Sequence, residues 1–182
     1  MAVLPLHLLG SPVLRERSKE VAQVDDEVRA FIDAMFETMD ANKGVGLAAN
    51  QVGKAVRVAV IDADGHRIAL VNPRVTVAGG VREAEEEGCL SIPDVFADVD
   101  RPTEVTLEAL DRDGKSYTLE ASGLLARAIQ HEIDHLDGIL FLDHLSLIKR
   151  QMLLARYRRE HKDQQRPSRV PSVYCPGHRR LP

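Results

Sequence analysis

The sequence predicts an α+β fold, with antiparallel or mixed β-sheets packed around a central metal-binding helix and further helices at the N- and C-terminal ends. Three observations carry this prediction. One amphipathic segment precedes a block of short β-branched runs, two hairpin-type turns punctuate that block, and a second helix with apolar groups around much of its circumference follows it.

Residues Asp25 to Ala41 place Val28, Phe31, Ile32, Met35, Phe36 and Met39 on one helical face, with Asp25 available as N-cap. After a glycine-bearing stretch, Lys43 to Gly53, come six strand-like segments: Val56–Ile61, Ile68–Val71, Val81–Glu85, Val95–Val99, Val105–Leu110 and Tyr117–Glu120. Asp64-Gly65 and Asp113-Gly114 are the hairpin turns among them. A second helix starts at Ser122, suited to an N-cap, and ends near Leu136, with Gly138 as its left-handed stop. Leu124, Leu125, Ala128, Ile129, Ile133 and Leu136 spread around it, so it should be buried. A third helix, about Ser146 to His161, carries Leu147, Ile148, Leu153, Leu154 and Tyr157. Residues 1–163 therefore read as a single domain that includes this helix. Residues 164–182, with Pro167, Pro171, Pro176 and Pro182, read as an extended tail.

At 182 residues, with 44% hydrophobic and 29% charged, the chain has the size and balance of one globular domain. With 4% aromatic residues and no Trp, it lacks stacking platforms for single-stranded nucleic acid, and nothing points to DNA. No apolar run approaches the about 18 residues of a membrane helix, and the N-terminus shows no secretory signal. The expected location is cytoplasmic, where Cys89 and Cys175 would stay reduced. The net charge of −4 hides an asymmetry. From Lys149 to Pro182 there are ten Lys or Arg against two acids, leaving −12 for residues 1 to 148. A basic C-terminal helix of this kind suits docking on an anionic surface such as ribosomal RNA.

The sharpest chemical signal is His131-Glu132-Ile133-Asp134-His135 on the second helix. Residues four apart share a face and can present two imidazoles to one metal ion, with Glu132 about 100° around the helix. A catalytic tetrahedral site wants a third protein ligand and an open position for water, and Cys89 in Glu87-Gly88-Cys89-Leu90-Ser91 is the best candidate. A third segment, Gly44-Val45-Gly46-Leu47-Ala48-Ala49-Asn50-Gln51, has glycines that permit close approach of backbone to a ligand. It is not a P-loop, because no Lys-Ser or Lys-Thr follows the glycines.

Together, Gly44–Gln51, Glu87–Ser91 and Gln130–Gly138 resemble the three signature motifs of the peptide deformylases, in that family's order and spacing. The similarity runs from about Pro12 to Ser146 and includes Arg101-Pro102 and Leu110–Lys115. The resemblance implies a hydrolase that removes the N-formyl group from the N-terminal methionine of nascent polypeptides, releasing formate. It implies Fe2+ held by Cys89, His131 and His135, although the donor set alone would also suit Zn2+ or another divalent transition metal. A dication lowers the pKa of water towards neutrality, and Glu132 is placed to take that water's proton and return one to the departing amine. By resemblance, the Gln51 amide and the Leu90 N–H donate hydrogen bonds to the oxyanion, and the backbone around Gly46 holds the substrate's main chain. Val45, Leu124 and Ala128 are expected to line an apolar pocket for the methionine, with Arg127 on another face of the helix.

Asn50 stands where family members often have Pro or Thr, and Glu85 where some have an apolar residue near the pocket. Cys175-Pro176-Gly177-His178 offers two ligand types in a flexible segment and is not read as a second site. Two rival functions are a metallopeptidase and a noncatalytic, ribosome-associated metalloprotein. The cysteine motif disfavours the first, and the unligated Glu132 disfavours the second.

Overall fold

A computed structural model describes residues 3–161. Its elements are α1 (Asp26–Ala41), β1 (Gly46–Ala48), β2 (Val58–Ala63), β3 (His66–Cys89), β4 (Ile92–Leu110), β5 (Ser116–Ser122), α2 (Gly123–Leu136) and α3 (Leu147–Glu160). Short 3-10 turns occupy Pro12–Arg15, Ala49–Val52 and Phe141–His144. The expected tail over 164–182, with Cys175 and His178, lies outside the described residues.

The strands form one antiparallel sheet in the order β1-β2-β3-β4-β5. Two pairs of expected strands are fused. Ile68–Val71 and Val81–Glu85 both belong to β3, and Val95–Val99 and Val105–Leu110 both belong to β4. Asn72-Pro73 and Gly79-Gly80 look like breaks in the sequence. In the structure they sit beside register shifts, between Val71 and Arg74 and between Gly79 and Arg82, where a bulge absorbs the irregular residues and the ladder resumes. Asn72 and Gly80 have positive φ values of 51° and 70°, the backbone form such bulges need. The stretch read as a connection after α1 also contains β1, which forms a sheet edge.

β2 is buried on both faces and organises the core. Val58 and Val60 pack with Ile32, Met35 and Met39 of α1, while Ala59 and Ile61 pack with Leu125 and Ile129 of α2. The period-two alternation of one strand thus serves two helices. A third cluster joins Val95 and Val99 of β4 to Phe141, Leu142 and Tyr157, seating the buried end of α3.

Asp25 caps α1 as expected, accepting from the Val28 N–H at 2.9 Å. Ser122 precedes α2 but gives no side-chain cap. As the last residue of β5 it is paired with Glu104, and Asp64 in the β2–β3 turn accepts from the Leu125 N–H instead, at 3.0 Å. The hairpin turn therefore fixes where the central helix begins. Gly138 ends that helix with φ 76°.

Candidate metal centre and cleft

Three separated segments meet on the inward face of α2. His131 and His135 project from successive turns, and Cys89 is the final residue of β3. One ligand atom from each lies within 4.8 Å of the others, and Cys89 Sγ is 3.2 Å from His135 Nε2. Cys89 is a free thiol, and His135 is almost wholly buried.

His131 is oriented by Glu87, whose Oε2 lies 3.1 Å from Nδ1. Glu87 is held in turn by Arg101, at 2.6 Å from Nε to Oε1 and 3.0 Å from Nη2 to Oε2, and by Arg127 at 2.8 Å. Arg101 also donates to Asp134 at 2.8 Å, so strand and helix are tied on both sides of the histidine. Burial works against a charge on Glu87, but hydrogen bonds from His131 and Arg101 overcome it and hold its pKa at about 2. Burial likewise opposes a charge on His131, yet hydrogen bonds with Cys89 and Glu87 raise its pKa well above the usual value. His135 is driven well below, first by burial and then by the charge on His131. A neutral imidazole, a thiol sulfur and an imidazole backed by a carboxylate make a donor set that a divalent cation fits.

Glu132 is 3% exposed, and burial pushes its pKa up to about 7. Its Oε2 is buried without a hydrogen-bond partner. Its other oxygen faces the backbone of Gly46 so closely that a Cβ there would lie 2.3 Å from Oε1. A side chain at Gly46 would therefore have to displace this carboxylate, whereas the residue's own dihedral angles do not call for glycine.

Gln51 is 2% exposed in the 3-10 turn after β1. Its Oε1 accepts from the Ala48 N–H at 2.8 Å, which turns Nε2 towards Ser91 Oγ at 3.1 Å and Cys89 Sγ at 3.5 Å. Leu90 follows Cys89 in the tight turn joining β3 to β4. The N-terminal segment braces both stretches, with the His7 N–H donating to the Gln51 carbonyl and the Leu9 N–H to the Ser91 carbonyl, at 2.7 and 2.8 Å.

A cleft of about 580 Å³ opens beside these groups. Val45, Gly46, Leu124 and Ala128, the four residues expected to meet substrate, all line it, together with Cys89, Leu90, His131, Glu132 and Gln51. Phe96, more than half exposed at its rim, has no signal in the sequence reading. Arg127 corrects an expectation. It also lines the cleft and is buried, because Glu87 and the Val99 and Glu83 carbonyls accept hydrogen bonds from it and Glu85 forms an ion pair with it at 3.0 Å. Its position four residues before His131 placed it on the ligand face. Glu85 engages Arg127 rather than lining the pocket. A larger groove of about 1000 Å³ lies elsewhere, by Arg57, Arg74 and Tyr117, but its arginines are paired with Asp137 and Glu108 and it holds none of the candidate ligands.

The family model described as polypeptide deformylase matches residues 3–151. The chain is 47% identical over 164 residues to a peptide deformylase of Brucella suis, covering 87% of this chain and 94% of that protein. It is 49% identical over 154 residues to one from Treponema pallidum, covering 85% and 95%. Among solved structures, a Synechococcus elongatus peptide deformylase in complex with actinonin superposes with a TM-score of 0.81 at 44% identity, covering 85% of each chain. The Legionella pneumophila peptide deformylase gives 0.84 at 39% identity, covering 91% of this chain and 100% of that one. With the glycine loop, the cysteine turn and the histidine helix brought to one cleft, and with relatives matching along most of the chain, the protein belongs to the polypeptide deformylase family, the metal-dependent hydrolases that remove the N-formyl group from nascent peptides.

Proposed function

We propose that deformylation in this chain is carried by Glu132, the Gln51 side-chain amide and the Leu90 N–H, with Cys89, His131 and His135 holding one Fe2+. The observation that carries this reading is the buried Glu132 carboxyl, one oxygen unpartnered and its pKa near 7, one residue along the helix from His131. When bound, the cation supplies Lewis acidity that brings water towards a neutral pKa; two imidazoles and a thiolate suit Fe2+ and also Zn2+.

Glu132 takes a proton from the water that attacks the formyl carbon. As the C–N bond breaks, it delivers that proton to the departing amine, so that water and formamide become formate and a free amino terminus. Negative charge gathers on the formyl oxygen, where Gln51 Nε2 and the Leu90 N–H donate. Because Gln51 Oε1 is already fixed by Ala48, the plane of its amide is set before the charge develops, and the Nε2 proton now turned towards Cys89 Sγ at 3.5 Å is the one released to the oxyanion. β1 is the edge strand of the sheet, and its Gly46 backbone aligns the substrate's main chain in the manner of an added strand. Val45, Leu124 and Ala128 receive the methionine side chain.

The catalytic domain spans residues 1–163. Helix α3 bears Lys149, Arg150, Arg156, Arg158 and Arg159 with Leu147, Ile148 and Met152 exposed, a surface for docking on the ribosome. Among the described residues no helix is long and apolar enough to cross a membrane, and the proposed location is cytoplasmic. Oxygen-protected protein should release formate from formyl-Met peptides. Glu132→Ala should lose about 10²- to 10⁴-fold in kcat while keeping one cation per chain. A variant retaining wild-type kcat would remove Glu132 from the chemistry.

A further inference from the structure

We propose that Asn50 is a positioning residue for the ligand His135, its Oδ1 accepting a hydrogen bond from the His135 Nδ1–H through one buried water. This rests on the assignment of His135 as a cation ligand. Asn50 is fully buried, and its Nδ2 donates to the backbone carbonyl of His135. Each of these two residues has one polar atom buried without a partner, Asn50 Oδ1 and His135 Nδ1.

They are complementary. His135 Nε2 faces the Cys89 sulfur at 3.2 Å, so as a ligand the ring uses Nε2 and carries its proton on Nδ1, a donor in need of an acceptor. Asn50 Oδ1 is an acceptor in need of a donor, on a side chain already anchored to the same residue. A buried donor and a buried acceptor left apart would each carry a desolvation cost that joining them removes.

The two imidazoles are thereby backed unequally. His131 leans on the Glu87 carboxylate, held by Arg101 and Arg127. His135 leans on a neutral amide, which fixes its tautomer and ring plane without adding charge. Asn50 is also the neighbour of Gln51, so one short turn would set both an oxyanion donor and a ligand's orientation.

The test uses the full chain loaded with Zn2+, followed by the exchange of the His135 Nδ1 proton in NMR and by the Zn2+ dissociation constant from chelator competition. Asn50→Ala should abolish slow exchange of that proton and weaken Zn2+ binding about 10- to 100-fold. Asn50→Asp, which keeps an acceptor oxygen but not the donor to the carbonyl, should retain the slowly exchanging proton. It also serves if the alanine variant fails to fold. Wild-type exchange and affinity in Asn50→Ala, or loss of the slow proton in Asn50→Asp, would overturn the proposal. Failure of the wild-type chain to bind one Zn2+ through His135 would instead overturn the ligand assignment.

Discussion

Helices α2 and α3 each have 14 residues and obey opposite rules of burial. α2 buries Arg127, Glu132 and His135 against the sheet, while α3 leaves Leu147, Ile148 and Met152 about 70% exposed and fully buries only Tyr157. Polarity alone would have reversed these placements. Position in the sheet decides: α2 starts where β5 and the β2–β3 turn put it, Arg127 is met there by Glu87 and by the Val99 and Glu83 carbonyls and Asp134 by Arg101, while Glu132 Oε2 and His135 Nδ1 stay buried without partners. α3 is held by the Ser146 cap, by Leu153 and Leu154 packed against the third cluster and by the Tyr157 seat, and its Leu147, Ile148 and Met152 side chains are left to meet another surface.

The contrast sharpens into substitutions whose costs should differ by orders of magnitude. The largest effect after loss of Glu132 itself belongs to Gly46→Ala. The new Cβ would displace the Glu132 carboxylate, and kcat should fall about 10²-fold with the fold intact by circular dichroism. Near-normal kcat would show that this carboxylate has room to move. Next comes acid stability. Because the folded pKa of Glu87 is about 2 against an ordinary 4.5, its contribution is fully present above pH 4.5 and disappears as pH falls towards 2. That span amounts to about 3 kcal/mol. Denaturant titrations should show the loss in the wild type and a flatter profile in Glu87→Gln; equal slopes would mean that the His131 and Arg101 contacts do not favour the charged form. The smallest intrinsic effect belongs to α3. Met152→Glu should change stability by under about 0.5 kcal/mol and leave formate release unchanged, while reducing salt-sensitive cosedimentation with ribosomes. Undiminished cosedimentation would remove this face from the docking proposal.

The same contrast explains what was legible in the sequence. Helix α1, its Asp25 cap and the stop of α2 at Gly138 follow from short-range periodicity and local turn chemistry. The pair His131 and His135 was legible because helical spacing alone puts them on one face, and Cys89 because its ligand chemistry completes them. The continuity of β3 and β4 was not, since Asn72-Pro73 and Gly79-Gly80 signal breaks locally and only pairing with a neighbouring strand turns them into bulges. Nor was the Asp64 cap of α2, 61 residues from the N–H it receives. Arg127 was expected on another face of the helix although it stands four residues before His131; the partners that bury it come from β3 and β4, far away in sequence.

The central claim is that one sulfur and two imidazole nitrogens from three separated segments take a single cation. X-ray absorption at the metal edge of the loaded full chain tests it most directly. The account predicts one sulfur and two imidazoles in the inner shell, with the sulfur lost in Cys89→Ala. A shell of nitrogen and oxygen alone in the unsubstituted chain would contradict it.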